Sequence, residues 1–227
     1  MKAVVPQHEH EFEPQYGLPE RLPDGERLLW QGTPDWTVLA RRAFHTHKLA
    51  LYFGVILLLR ASAVLADGAS VAEALHAAIV LVPLFAIGLG LAALLGWLAA
   101  RTCVYSLTDK RIVMRVGIVL TVTYNLPLRC IQSADLRPLD SRHGDIALAL
   151  VPGTRIAYLQ LWPHARPWKL ARTQPMLRCL PDAGRVAALL AQTWAQANGT
   201  PVHAPATVWP ADARPSSSGQ RPVLAGH

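Results

Sequence analysis

The chain is 227 residues long, 52% of them apolar, and its formal net charge of +7 is unevenly spread: residues 101–227 hold 15 Lys and Arg against six Asp and Glu, whereas residues 1–48 hold six against seven. The three cysteines, Cys103, Cys130 and Cys179, are odd in number and far apart, so they give no metal-ligand signature and are read as small buried hydrophobes. A chain of this length also offers no large soluble core to wrap its longest apolar stretch, residues 74–100, which argues against a buried core helix there.

Residues 1–35 are polar and dotted with Pro14, Pro19, Pro23 and Pro34, which break any long helix. Seven acidic residues precede Lys48 and the first apolar run begins late, so a cleavable leader is not expected. His8, Glu9, His10 and Glu11 alternate without further convergent groups and read as a solvated terminus; no metal or cofactor is expected in the chain. Leu28, Leu29 and Trp30, between Gly25 and Gly32, suit a short strand or an anchor. Trp36 and Phe44, with Arg41, Arg42, His45, His47 and Lys48, suit an interfacial helix at headgroup level or an extension of the first apolar run.

Two apolar runs follow, residues 49–66 and 74–100. At 1.5 Å rise per residue, roughly 20 apolar residues cross about 30 Å of hydrocarbon. Residues 74–100 contain no Asp, Glu, Lys or Arg. The first run is shorter and carries Arg60, whose guanidinium must either snorkel to the headgroups or find a partner. Only residues 67–73 connect the runs, which predicts a helical hairpin with spans at about 49–66 and 76–99. Arg41, Arg42 and Lys48 precede it and Arg101, Lys110 and Arg111 follow it, whereas the connection carries Asp67 and Glu73 and no basic residue. The positive-inside rule then sets both termini in the cytoplasm of a multi-pass bacterial inner-membrane protein.

From Arg101 the apolar period changes to two. Strands are predicted at 102–107, 111–116, 118–124, 129–136, 145–150 and 155–161, with Pro152-Gly153 separating the last two. The connections are too short for crossover helices, so the pairing is antiparallel. The period changes again at 182–197, where Val186, Leu189, Leu190, Thr193, Trp194 and Ala197 share one helical face. Pro181 and Asp182 suit its start and Asn198-Gly199 its stop. Beyond it the chain turns Pro-, Ala- and Ser-rich and reads as a disordered tail. The fold class is therefore an α+β membrane protein, with a polar segment at 1–35, an interfacial helix and transmembrane hairpin at 36–100, a cytoplasmic antiparallel sheet capped by a C-terminal helix at 101–198, and a tail at 199–227.

The run YSLTDKRIVMRVG, residues 105–117, resembles the opening hairpin of bacterial pleckstrin-homology (PH)-like domains, and NLPLRCIQSADLR, residues 125–137, fits the same pattern. With residues 10–36 and 40–53 included, the chain resembles the photosynthetic complex assembly protein of purple bacteria, the family encoded beside the reaction-centre H subunit. The resemblance covers residues 10–197. It implies an inner-membrane factor that assists assembly of the photosynthetic reaction centre and the light-harvesting 1 complex, with no catalysis and with self-association. Its implied partners are reaction-centre and light-harvesting 1 subunits, membrane lipid and a second copy. A basic domain beside an anionic leaflet favours lipid or an acidic protein over nucleic acid.

Candidate contacts follow from this arrangement. In the apolar runs they are Arg60 and the small-residue ridge of Gly88, Gly90 and Ala92, which serves either a client helix or the chain's own first run. In the polar part they are Arg111, Arg115 and Arg129, a client surface or a general positive-inside face, and Trp162 and Trp168, which face a membrane or partner or else cap the sheet. No nucleophile elbow, HExxH, P-loop or dinucleotide fingerprint occurs, so an enzyme is not expected. The alternative is a membrane-tethered PH-like module that binds anionic lipid or serves in envelope stress response.

Overall fold

The computed structural model describes residues 17–153 and 156–199. The alternating His8–Glu11 group and the tail predicted from residue 200 lie outside the described residues. Strand β1 (Leu28–Gly32) leads to a short helix, α1 (Trp36–Arg42), then to the long apolar helices α2 (Thr46–Ala66), α3 (Val71–Ile79) and α4 (Val82–Arg101).

Helix α1 starts where Asp35 accepts hydrogen bonds from the Thr37 and Val38 amides at 2.8 and 3.2 Å, satisfying N–H groups that a first turn leaves open. Ser70 and Glu73 form a reciprocal capping box at the head of α3. The predicted connection at 67–73 therefore shrinks to 67–70, because Val71 is already helical. The second predicted span is also divided. Val80 and Leu81 form a turn between α3 and α4, next to Pro83, which has no N–H to give the Ile79 carbonyl. The hairpin packs by stacking Phe53 on Phe85, with centroids 4.4 Å apart and planes within 3°.

The last turns of α4 pack against protein. Gly96, Ala99 and Ala100 are buried, the latter two in a cluster with Leu39 of α1. At Gly96 an added Cβ would come within 2.9 Å of the Ala40 Cα, so the absent side chain is what lets the two helices approach. The predicted span at 76–99 thus ends in a helix–helix contact.

Four strands form one antiparallel sheet in the order β1-β2-β3-β4, with β2 at Val104–Thr108, β3 at Arg111–Val116 and β4 at Val122–Pro127. After a 3-10 turn at Leu128–Cys130, three more form a second sheet, β5-β6-β7, with β5 at Ile131–Pro138, β6 at His143–Leu150 and β7 at Met176–Pro181. Helix α6 (Ala183–Asn198) lies on β5 and β6, burying Val186, Leu190 and Thr193, and its Trp194 indole N–H donates to the Ile131 carbonyl at 2.9 Å. Tyr105, Met114, Ile146, Leu148 and Leu190 belong to one core shared by both sheets and α6. The architecture is α+β and PH-like.

Several expectations change here. The predicted single sheet is two sheets. Of the two readings of Leu28–Trp30, the short strand is the one found, and as β1 it edges the first sheet, so residues 28–32 belong with the domain at 101–198. The strand expected from 118 begins at Val122, because Gly117, at φ +125°, turns the chain so tightly that a Cβ there would strike the Leu120 carbonyl. Of the strand expected at 155–161, residue 155 lies outside the described residues and Tyr158–Leu161 form a single helical turn, α5, which buries Leu161; the last strand is instead β7. On α6 the buried position near the end is Ala195, whereas Ala197 is exposed. Asp182 sits at its N-cap with a left-handed backbone and makes no side-chain cap.

The Gly96 contact yields a signed prediction. Gly96→Ala should lower the thermal stability of the detergent-solubilised protein by about 1–3 kcal/mol, because the new methyl meets backbone. Gly90→Ala, where nothing lies within 4 Å, should leave the melting curve unchanged or raise it slightly.

Candidate functional site

The candidate site is the junction at the foot of α4, where the apolar helices meet the sheets. Three segments converge there. Helix α1 is held between α4 and β7, with the Asp35 amide donating to the Cys179 carbonyl at 2.9 Å and Leu39 fully buried. The β3–β4 turn contributes Ile118 and the β5–β6 turn contributes Leu139, both packed on the Leu39–Ala99–Ala100 cluster. The Arg42 guanidinium also reaches the Leu139 carbonyl at 3.5 Å. His143, at the base of the β5–β6 turn, stands between Asp140 and Asp35, with Nδ1 at 3.0 Å from one carboxylate and Nε2 at 3.4 Å from the other. Backbone N–H groups of Arg142 and His143 hold the Asp140 carboxyl down at about 2. Burial works against ionisation of Asp35, but the bonds from Thr37 and Val38 still leave its carboxyl below the usual range.

Aromatic residues ring this foot. Trp162 meets Phe44 edge-on, with centroids 5.4 Å apart. The Arg101 guanidinium lies 5.1 Å over the Trp97 ring, a cation–π contact at the end of α4, and Trp36 is exposed on α1.

Beneath Trp162 lies a buried polar network that sequence reading did not find. The Tyr105 hydroxyl accepts from the Arg178 amide at 3.2 Å and lies 2.6 Å from His164 Nδ1. The phenol and the imidazole are thus hydrogen-bonded to each other in a pocket that also engages the Arg178 backbone. Burial, and then the nearby Arg178 charge, push His164 down to about 3. Arg178 donates from Nη1 to the Pro163 carbonyl at 2.9 Å, and Asp145 accepts the Cys179 amide at 2.8 Å. Burial raises the Asp145 carboxyl although Arg178 opposes that rise. Burial also raises the Cys103 thiol and pushes Cys179 up to about 12, as expected of thiols that act as core hydrophobes; Cys130 is half-buried. No signal in the sequence joins Tyr105 to His164, because they meet only through tertiary structure.

The sequence candidates fall into separate groups. Arg60 is exposed on α2, and Gly88 lies over Phe53 within the hairpin; Gly90 faces open space, and Ala92 is half-buried. Arg111 and Arg115 share one face of β3, but the register pairs Arg115 with Val104 at the foot and Arg111 with Pro127 at the opposite end, about 13 Å away at 3.3 Å per residue. There Arg111 is engaged by Glu26, Nε to Oε1 at 2.9 Å and Nη2 to Oε2 at 3.1 Å, with Glu26 nearly buried. Arg129 is exposed on the 3-10 turn at the same far end. Only Arg115 and Trp162 of these candidates stand at the foot. Trp168 is fully outward, in the loop before β7.

The His164 environment sets a pH dependence. The folded value lies far below the ordinary 6.5, so between them the unfolded chain binds a proton that the folded chain refuses. Stability from this group is complete above about pH 6.5 and drains as pH falls, by about 1.4 kcal/mol per unit. Thermal melts at pH 7.5 and 5 should show this loss, and His164→Gln should have a lower melting temperature at pH 7.5 with a visibly flatter dependence.

Comparisons with known proteins agree with this architecture. The bacterial PH domain family matches residues 55–194. Over 190 residues, 82% of this chain and 87% of the relative, the sequence is 40% identical to a Rhodobacter capsulatus protein described as an uncharacterized 23.7 kDa protein in the puhA 5' region. No solved structure matches.

Proposed function

This chain belongs to the bacterial PH domain family, whose modules are non-catalytic adaptors, and on that premise we propose that it is a membrane-tethered PH-like module contacting anionic lipid or a protein surface at the cytoplasmic leaflet. The observation that carries this reading is the outward apolar surface of the helices. Thr46–Ala66 and Val71–Arg101 are long and apolar enough to cross a bilayer, and their most apolar windows are not buried by the rest of the chain. Leu51, Leu58, Leu84, Ile87 and Leu91 all point outward. A core helix would hide these side chains, and an apolar surface this large calls for lipid or another protein. The basic flanks support an inner-membrane hairpin with both termini cytoplasmic, residues 36–100 as the tether and 101–198 as the PH-like unit.

Within that reading, a finer role in assembling the photosynthetic reaction centre and light-harvesting 1 complex has two supports. One is the sequence resemblance. The other is the relative's name, which sets it in the 5' region of puhA. Contact with one client at two depths, through Arg60 and the open face at Gly90 in lipid and through Arg115 or Trp162 at the foot, raises effective concentration while leaving each contact weak enough to release, whereas Gly88 is taken up by Phe53 of the chain's own hairpin.

Two measurements separate these levels. The full chain should resist alkaline carbonate extraction, and a C-terminal tag should be protease-accessible only from the cytoplasmic side; extraction into solution overturns the tether. Arg60→Leu should insert normally yet lower recovery of reaction-centre or light-harvesting chains in crosslinked photosynthetic membranes by several-fold. Unchanged recovery removes Arg60 as a client contact, and absence of any such chains from the wild-type crosslinks leaves the lipid-binding or envelope-stress reading.

A further inference from the structure

The β3–β4 turn, residues 117–121, carries two large apolar side chains with nothing over them: Val119 is 88% and Leu120 82% exposed. Their height in the molecule follows from strand register. Helix α4 ends at Arg101 and β2 begins at Val104, leaving the helix foot; β3 returns antiparallel with Arg115 opposite Val104. Val116 is therefore level with Cys103, and the turn that follows projects back to the level of the last residues of α4. Direct packing agrees, since Ile118 joins the cluster of Leu39, Ala99 and Ala100. Gly117 makes the tight turn that holds Ile118 inward while Val119 and Leu120 stand out.

The turn, Gly-Ile-Val-Leu-Thr, has no charged residue. Basic side chains are carried by the elements that meet at this junction, Arg115 on β3, Arg101 at the end of α4 and Arg41 and Arg42 in the last turn of α1. Trp97, Trp36 and the Phe44–Trp162 pair lie on the same junction. An apolar tip on a junction that also carries cations and indoles fits one environment, the boundary between anionic headgroups and acyl chains.

We infer that Val119 and Leu120 insert into the bilayer beside the foot of the hairpin and give the sheets a second, shallow point of attachment. The inference rests on the membrane-tethered reading and adds to it a lipid-contacting loop. The Leu39 cluster already seats the sheets on the foot of the hairpin, and a second foothold beside it sets the tilt of that unit against the bilayer and decides which face it presents to other molecules.

The test uses the full chain in vesicles of phosphatidylglycerol and phosphatidylethanolamine, with Cys130→Ser removing the most accessible native thiol. An environment-sensitive fluorophore is attached at Leu120→Cys or, as the reference within the tether, at Leu58→Cys. Quenching by spin-labelled lipids and by aqueous iodide is then compared. The expected result is deep lipid quenching at 58 and shallow lipid quenching at 120, with Val119→Glu cutting the lipid quenching at 120 by about tenfold. Lipid quenching at 58 with iodide quenching alone at 120 overturns the loop while leaving the tether. Protection of 120 from both quenchers means that protein covers the turn, a second copy included, and also overturns it. Absence of lipid quenching at 58 overturns the tether, and the loop with it.

Discussion

The structure depends on the seal between α1 and the last turns of α4. Two short connections join the apolar helices to the first sheet, α1 with its flanking residues on the β1 side and Thr102–Cys103 on the β2 side, and such links alone set no orientation. Leu39 supplies it by entering a cluster with Ala99, Ala100 and Cys179, so that one side chain touches the helical pair and the second sheet together. Burying a leucine completely is worth about 2 kcal/mol, and here the gain requires three segments to be in place at once. The Asp35 cap fixes where α1 starts, the bare Gly96 surface fixes how close it comes, and the Asp35-to-Cys179 backbone bond ties its head to β7.

That seal explains why the basic residues act in different ways. At the foot, Arg42 and Arg101 are held against a carbonyl and an indole, so they present charge with restricted motion. At the far end of the first sheet Arg111 is locked to Glu26, and the Thr108 hydroxyl accepts the Lys110 and Arg111 amides while itself donating to Glu26. The Thr-Asp-Lys-Arg turn is thus a structural device that binds the N-terminal segment to the hairpin. It keeps β1 in the sheet as much as it shapes the surface charge.

Local pattern and long-range contact divide what the sequence could and could not reveal. The strand at Arg111–Val116 was legible because apolar residues alternate there beside a turn, and α6 because a helical stripe begins after Pro181 and stops at Gly199. The pairing of β1 with β2 was not, since its partners lie more than 70 residues apart and Leu-Leu-Trp alone suits either an anchor or a strand. Strand β7 was hidden by Arg178, a charge that looks solvent-facing in sequence but is buried beneath Pro163 and the Tyr105–His164 pair. Of the proposed contacts, Arg60 and Trp162 announce themselves by chemistry at an unusual depth. Val119 and Leu120 do not: within the β-branched and aromatic run Ile118–Tyr124 they read as strand, and only the turn at Gly117 exposes them.

The interruption at Val80 and Leu81 gives the two ends of the molecule unequal stiffness. Below it, α4 runs without a break into the Leu39 seal, so a push on its lower half by a neighbour in the lipid would be delivered to the sheets as a change in pitch. Above it, α3 is joined by a turn that lacks one backbone bond, and a push there is absorbed as local bending. With the hairpin across a bilayer, variations in far-leaflet thickness would be taken up on that side while the sheets keep their aim.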